Sequence, residues 1–183
     1  NIMQHLSDAL QYLVDYIPRV NFKFLCDFLI IQMLNNFILH IYKAKRVNDQ
    51  GAQQLLLDVT SLVNFLKTIL NLGDPERYDE DEMSAFGRKV QLLANKPESI
   101  LKVLLSPLDT LVESYRSLVP DSNLNELNNL LELKGVAPND RAMYISEFNQ
   151  LDGKKTSFSS MIKNKMDIGV VKNVRGVFMK GPE

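Results

Sequence analysis

The side chains that most often perform catalysis or bind metals are few and dispersed in this sequence. Cysteine occurs once, at Cys26, and histidine occurs twice, at His5 and His40. A metal site or a nucleophilic centre needs several such groups brought together, and the two histidines fall on different predicted helices. No HExxH, CxxC or EF-hand spacing occurs in the sequence. We therefore predict no catalytic residue, no metal and no cofactor, and we interpret each histidine as an ordinary helix residue.

Two other groupings resemble reactive motifs but lack essential parts. Gly153–Thr156 reads GKKT, but a phosphate-binding loop needs a glycine five residues before its GK pair, where this chain has Phe148. Glu80 and Glu82 form a carboxylate pair in an acidic segment, where we expect both side chains to be solvated and not to form a catalytic pair. Cys26 lies in an apolar run, so we interpret it as a small buried residue. These observations predict a protein that is not an enzyme.

Two charged segments could instead bind a partner. Residues 74–82 read DPERYDEDE, which fits either a docking site for a basic partner or a solvated loop that leads into a helix. The tail after residue 153 is basic, and its lysines alternate with apolar residues. It could lie on an anionic membrane or pack back on the preceding helices. The lysines that we assign to such a contact are Lys154, Lys155, Lys163 and Lys165.

The overall composition is that of an ordinary globular protein. The chain has 183 residues, 45% of them hydrophobic and 23% charged, with a net charge of -1. This length suits one domain or two small ones, and the charge gives no attraction to nucleic acid. A single cysteine fits a reducing compartment. The most apolar region, Phe22–Tyr42, is interrupted by six polar residues, so we interpret it as a buried helix and not as a membrane span.

Helical periodicity is the strongest pattern in the chain. Across Asp49–Leu72, apolar residues recur at steps of three and four and form one stripe, while the opposite side is polar. The pattern recurs along the chain, so we predict an all-α fold: an elongated rod of two consecutive antiparallel helix bundles. The predicted helices are Asn1–Ile17, one from Val20 to Ala44 or Lys45, Asp49–Leu72, Glu82–Ala94, Pro107–Leu118, one from Asp121 or Ser122 to Gly135, and one from Pro138 to Gly153.

Prolines, glycines and capping residues set the predicted boundaries. Asn48 or Asp49 can cap the third helix, and Gly73 stands where a left-handed C-terminal cap is expected. Pro97 suits the first position of a new helix, and Ser106 suits an N-cap. We accordingly divide the chain into a bundle of long helices (residues 1–95), a bundle of short helices (96–153) and a basic tail (154–183).

Four short motifs, in order and at matching spacing, resemble a known family. They are GAQQLLLD (Gly51–Asp58), ILKVLLSP (Ile100–Pro107), VESYRSLVPDS (Val112–Ser122) and LELKG (Leu131–Gly135). The sequence resembles the C-terminal region of the vacuolar-protein-sorting fifty-three subunit of the GARP tethering complex. The resemblance extends over roughly residues 30–150 and does not include the acidic segment or the tail.

This resemblance implies a fold and a role. The fold is that of exocyst-type multisubunit tethers, whose rods are strings of helix bundles. The role is to tether endosome-derived vesicles at the trans-Golgi network, on its cytoplasmic face, in retrograde transport. The implied partners are the other tethering-complex subunits, mainly through regions outside this chain, and vesicle or Golgi proteins. The alternative is a peripheral membrane-binding module that uses the basic tail.

If the matched motifs present a protein-binding surface, their charged residues are the first candidates. A solvated helix face is the competing interpretation, because most exposed charges contribute little. The residues that we predict for this surface are Asp58, Lys102, Glu113, Arg116 and Lys134.

Overall fold

Helices are the regular elements found in the computed structural model, which describes residues 2–151. The all-α prediction is confirmed for this part of the chain. The helices are α1 (Ile2–Val14), α2 (Arg19–Lys43), α3 (Asp49–Thr68), α4 (Glu80–Leu105), α5 (Leu111–Leu118) and α6 (Leu124–Leu133), followed by a helix α7 over residues 138–151. Short 3-10 turns at Ile69–Asn71 and Leu108–Thr110 follow α3 and precede α5.

The chain groups into two compact units, Asn1–Pro138 and Asn139–Glu183. In the first unit, α3 and α4 form the most extensive helix pair, and α2, α5 and α6 pack on α4 or on its neighbours. The predicted division of the chain into two bundles stays a prediction. Its boundary, between residues 95 and 96, would have to fall inside α4.

The stripe predicted on the third helix forms the centre of the core. Ala52, Val59, Val63 and Leu66 are buried on α3, and Phe86, Val90, Ala94 and Leu101 are buried on α4. Full burial of one Val, Leu or Phe side chain contributes about 1.5–3 kcal/mol. The α3–α4 pair is therefore the main stabilising contact of the first unit.

Predicted caps begin and end these helices. The Asn48 side chain, one of the two predicted caps, accepts a hydrogen bond from the Gly51 amide (2.8 Å) at the start of α3. Gly73 has a φ value of +84°, the left-handed conformation predicted for it, and Gly135, predicted only as a helix end, has a φ value of +79°. A side chain at either glycine would be strained. These residues fix where the chain leaves α3 and α6.

The predicted helix break at Pro97 is wrong. Helix α4 continues through Pro97, which is buried inside it. An internal proline costs a helix about 3 kcal/mol, but Ile100, Leu101 and Leu104, beyond the proline, are fully buried. Burial of three such side chains outweighs the cost, so the helix persists.

Two other boundaries differ from the prediction after α4. Ser106 is the C-cap of α4, with its amide donating to the Lys102 and Val103 carbonyls (both 3.1 Å), and not an N-cap. Helix α6 begins after Asn123, whose side chain accepts from the Glu126 amide (2.9 Å). An asparagine satisfies free helix amides as well as an aspartate does. Helix α6 therefore begins later in the sequence than the predicted start at Asp121 or Ser122.

Helix α2 meets the length and composition criteria of a membrane-crossing helix, although core helices of bundles meet them too. Its Phe22, Cys26, Ile30 and Leu34 are buried, and it packs against α4 and the 3-10 turn after α3. The side of α2 that carries these four residues therefore packs inside the helix bundle.

Candidate functional site

A buried carboxylate at the start of α6 joins four helices. Glu126 is 8% exposed, and both of its oxygens are bound. The Tyr42 hydroxyl donates to Oε1 (2.8 Å) and the Tyr115 hydroxyl donates to Oε2 (2.9 Å). The Lys96 ammonium lies 3.1 Å from Oε1. We call these four residues the Glu126 cluster; they come from α2, α4, α5 and α6.

The electrostatics of the cluster favour an ionised glutamate. Burial alone raises the pKa of Glu126, but the hydrogen bonds from Tyr42, Tyr115 and Lys96, together with the Lys96 charge, outweigh it, so the net pKa is lowered. Burial and the adjacent carboxylate raise the pKa of Tyr42. Burial likewise raises the pKa of Tyr115. Both tyrosines stay protonated donors at neutral pH, so the cluster is a fixed structural clamp.

The Tyr115 hydroxyl also fixes the chain between α5 and α6. Its oxygen accepts a hydrogen bond from the Asn123 amide (2.9 Å) while its proton points to Glu126. The ring is fully buried. Helices α5 and α6 are thus held at the segment that connects them.

The acidic segment forms a second clamp. Arg77 donates to the carbonyls of Val14 and Ile17 (2.5 Å each) at the end of α1. The hydroxyl of Tyr78, which is buried, donates to the Arg19 carbonyl (2.7 Å). Asp79 caps α4 in a reciprocal capping box with Glu82. The segment is therefore not only a solvated loop that precedes a helix. Its side chains connect the α1–α2 junction to the start of α4.

Three of the predicted surface residues lie exposed on different helices. The Asp58 carboxylate on α3 accepts a hydrogen bond from the side-chain amide of Gln54 (2.9 Å). The Lys102 ammonium on α4 lies 3.7 Å from the carboxylate of Glu98, one turn earlier. Glu113 is exposed on α5. Since the contacts of Asp58 and Lys102 are within their own helices, these side chains can reach a partner at little cost. Their role in binding stays a prediction.

The other two predicted surface residues are less accessible. Arg116 is half-buried on α5. The Lys134 ammonium donates to the carbonyls of Leu104 (2.7 Å) and Ser106 (2.6 Å). It therefore neutralises the C-terminal end of α4, where a cation is favoured by the helix dipole. This contact gives Lys134 a structural task, and its part in protein binding stays a prediction.

A groove beside α4 brings apolar and polar groups to the surface. Its walls include Leu92, Lys96, Ser99, Leu118 and Pro120. Leu92 is 71% exposed and Leu118 is 38% exposed. A single exposed leucine is ordinary, but an apolar patch with a polar rim is typical of protein-binding surfaces. We call this the α4–α5 groove, and sequence analysis had not predicted it.

The structure describes some, but not all, of the residues for which the sequence suggested a chemical or binding role. Cys26 is buried, and burial together with the Asp27 charge raises the pKa of its thiol to about 12, against the lowering effect of Arg77. The thiolate nucleophile is therefore disfavoured. Within residues 2–151, no three His, Cys, Asp or Glu side chains gather as metal ligands. Lys154, Lys155, Lys163 and Lys165 lie outside the described residues.

Comparison with known proteins confirms the predicted resemblance. Residues 53–136 match the family model described as vacuolar protein sorting-associated protein 53 C-terminus. Vacuolar protein sorting-associated protein 53 A of Arabidopsis thaliana is 30% identical over 145 residues, which are 79% of this chain and 17% of the relative. The homolog of Caenorhabditis elegans is 29% identical over 149 residues, 79% of this chain and 18% of the relative.

The chain thus spans less than a fifth of the length of these two relatives. No solved structure matches it. The matched residues run from α3 to the end of α6 and contain the α4–α5 groove and three members of the Glu126 cluster. Over residues 53–136, the chain belongs to the family of the C-terminal region of vacuolar protein sorting-associated protein 53.

Proposed function

We propose that the chain is the C-terminal helical module of a vesicle tethering subunit and that it acts by binding proteins. The transport step is retrograde, from endosomes to the trans-Golgi network. The partners are other tethering-complex subunits and proteins of the vesicle or the Golgi, and the site of action is the cytoplasmic face of these membranes. The family match over residues 53–136 carries this proposal.

The α4–α5 groove is the surface that we assign to this binding. Leu92, Asn95, Ser99 and Lys102 recur at steps of three and four along α4, so they share one helix face. Leu92 and Leu118 offer an apolar surface, and the surrounding amide, hydroxyl and charged groups form a polar rim that can orient a partner. Lys102 and Glu113, from the predicted surface, are exposed on the same two helices, α4 and α5.

The Glu126 cluster connects the two helices that form this groove. Lys96 is one of the groove residues, and its ammonium binds Glu126. Because that carboxylate is also held by Tyr115 of α5, the two helices that form the groove are fixed against each other. A surface held in this way loses little conformational entropy on binding.

A pull-down from solubilised Golgi and endosome membranes tests the proposal. The bait is the native full-length protein carrying Leu92→Glu, compared with Leu57→Glu as a matched control. Leu57 is a leucine of similar exposure on α3 (63%). We expect Leu92→Glu to lose captured membrane proteins while Leu57→Glu keeps them. Equal capture by both variants would contradict the groove as the binding surface.

The alternative, a peripheral membrane-binding module, places the contact on Lys154, Lys155, Lys163 and Lys165. Each basic residue near an anionic surface contributes about 1 kcal/mol. Flotation with vesicles that contain phosphatidylserine tests it. If the change of these four lysines to Glu leaves flotation unaltered, the tail is not the membrane contact.

A further inference from the structure

A basic loop connects α2 to α3. Lys43, Lys45 and Arg46 follow one another closely in the sequence, and all three side chains are exposed. Lys43 lies in the last turn of α2, where a cation suits the helix dipole, but Lys45 and Arg46 lie beyond the last residue of that helix. Within residues 41–57 a single acid, Asp49, accompanies these cations. We call Lys43, Lys45 and Arg46 the basic loop.

The cations of the basic loop have no partner in the part of the chain that the structure describes. None of the three forms a hydrogen bond or an ion pair there. Other partly exposed cations of the same unit are bonded, as Lys96 is to Glu126 and Lys134 to two carbonyls. Neighbouring charges of one sign create a positive potential that attracts an anion.

Contacts with the end of α6 hold Arg46 in place. The amide of Val47 donates to the Leu133 carbonyl (2.8 Å), which ties the basic loop to α6. The Arg46 guanidinium packs against Gly135: a Cβ atom at this glycine would lie 2.6 Å from Nε and 2.8 Å from Cζ. A guanidinium positioned in this way presents its donors in a fixed fork, which matches the two oxygens of a carboxylate.

Arg46 also lines a groove between the basic loop and the start of α3. The groove has a volume of about 560 Å³, and its lining includes Asn48, Gly51, Gln54 and Leu55 and no acid. The Asn48 carbonyl oxygen already accepts from the Gly51 amide, so the side-chain NH2 group of Asn48 remains a donor. The half-buried Leu55 adds apolar surface. The groove is therefore complementary to an acidic peptide that carries an apolar residue.

The lining favours a peptide over a membrane or a nucleic acid. Proteins that lie on a membrane insert exposed apolar side chains into its interface, whereas Val47 is buried and Leu55 is half-buried. Single-stranded nucleic acids stack their bases on aromatic side chains, and the lining contains none. The cations and the donor groups suit carboxylates held in a concave site.

A second copy of the chain fits less well. A symmetric pair through this groove would bring two basic loops together, and like charges across an interface are unfavourable. The most acidic stretch within the described residues is 74–82. Arg77 and Tyr78 bind that stretch to the α1–α2 junction, so it is not free to enter the groove of another copy.

We propose that the groove beside the basic loop binds a short acidic segment of a partner protein. One carboxylate of the partner binds the Arg46 guanidinium, and an apolar residue contacts Leu55. Lys43 and Lys45 attract the acidic segment and speed its association. This surface is separate from the α4–α5 groove. The inference goes beyond the proposed function and does not rest on it, because it follows from the charges and contacts of the α2–α3 connection.

A peptide selection tests the proposal. Short random peptides displayed on phage are selected on the native full-length protein, and fluorescence polarisation measures the affinity of the selected peptides for the wild type and for Arg46→Glu. We expect peptides rich in aspartate and glutamate, and binding by Arg46→Glu that is weaker by about tenfold or more, the factor for loss of a charge-assisted hydrogen bond.

Arg88→Glu is the matched control for this measurement. Arg88 is an exposed arginine on α4 that donates to the Ser84 hydroxyl (2.5 Å), and its reversal changes the net charge by the same amount. We expect it to bind the selected peptides as the wild type does. A selection without acidic peptides, equal binding by Arg46→Glu and the wild type, or an equal loss in Arg88→Glu would overturn the proposal.

A double variant, Lys43→Gln with Lys45→Gln, keeps the test valid if Arg46→Glu alters folding. Both lysines are exposed, so the melting temperature should equal that of the wild type. The association rate of the acidic peptides should fall severalfold and depend less on salt, and an unchanged rate would contradict the proposal.

Two further measurements separate the other occupants. Flotation with phosphatidylserine vesicles that Arg46→Glu loses and Arg88→Glu keeps would assign the groove to a membrane. Self-association in analytical ultracentrifugation that depends on Arg46 would assign it to a second copy. Either result would overturn the proposal, which predicts that both properties are the same in the wild type and Arg46→Glu.

Discussion

Glu126 is the residue on which the arrangement of helices around the groove depends. Its two carboxylate oxygens receive bonds from α2, α4 and α5, so one side chain on α6 holds three other helices. A buried charge is costly unless it is fully paired. Here the pairing is complete, and replacing one carboxylate oxygen by an amide NH2 group would leave a tyrosine or lysine donor facing another donor.

A Glu126→Gln substitution should therefore destabilise the protein by about 1–3 kcal/mol, the usual cost of buried donors left unpaired. Denaturant unfolding followed by circular dichroism measures this change. Glu113→Gln is the matched control: this glutamate is exposed, so its loss should stay within about 0.5 kcal/mol. Equal unfolding midpoints for the two variants would show that the Glu126 cluster contributes nothing to stability.

The free energy of unfolding should depend on pH because Glu126 is ionised in the folded protein. The pKa of Glu126 is lowered below 4.5 in the folded protein, so the folded state holds the proton less tightly than the unfolded state. The contribution of the cluster is then complete above about pH 4.5 and is lost as pH falls through the lower folded pKa. Unfolding midpoints of the wild type and Glu126→Gln, measured from pH 7 to 3, should converge below pH 4.5. A constant difference would argue against an ionised Glu126.

Two roles compete for Lys134: a structural contact with the end of α4 and the predicted binding of a partner protein. Lys134→Met keeps the apolar part of the side chain and removes the two donors to the end of α4. We expect a loss of about 1.5–3 kcal/mol, as for hydrogen bonds from a charged group. Lys102→Met, the control, breaks an exposed contact with Glu98 and should cost at most about 0.5 kcal/mol. If thermal melting shows no larger loss for Lys134→Met, the cap is not stabilising.

At the scale of the elements, the capping box of α4 decides where the longest helix begins. Asp79→Ala removes the acceptor of the Glu82 amide (2.8 Å) and should destabilise α4 by about 0.5–2 kcal/mol. Amide hydrogen exchange at residues 80–84 reports the fraying. Asp81→Ala lies in the same turn without a capping role and should leave this exchange nearly unchanged. Equal protection in both variants would rule out the cap as the boundary.

The elements also show what local sequence determines. The stripe of α3 and the left-handed Gly73 follow from neighbours a few residues apart, and the sequence was enough to predict them; it also narrowed the cap of α3 to Asn48 or Asp49. The break at Pro97 was predicted wrongly because a local rule omits tertiary burial. Ile100 and Leu101 extend α4 past the proline because both are buried in the packed bundle.

The Glu126 cluster could not be predicted in this way. Tyr42 and Glu126 are 84 residues apart, and no spacing rule connects two tyrosines, a lysine and a glutamate over such distances. Charge and position within the motifs do not distinguish a residue with a structural contact from one that is free to bind a partner. The structure then showed that Lys134 is a cap, and that an exposed leucine, Leu92, marks the groove. An apolar residue on a polar face is the signal that could have indicated it.

At the scale of the whole molecule, the family match and the proposed binding surface coincide. Residues 53–136 contain the α4–α5 groove, whereas α2 precedes them. Variants in the groove therefore test the part of the chain that the family match covers.

We propose that this module serves vesicle transport by binding proteins at the α4–α5 groove. Cells that lack the native protein can be given the wild type, Leu92→Glu or Leu57→Glu at equal abundance, and the return of a recycling cargo receptor from endosomes to the trans-Golgi network can be quantified by imaging. We expect Leu57→Glu to restore retrieval as the wild type does and Leu92→Glu to fail to restore it. Full retrieval with Leu92→Glu would contradict it.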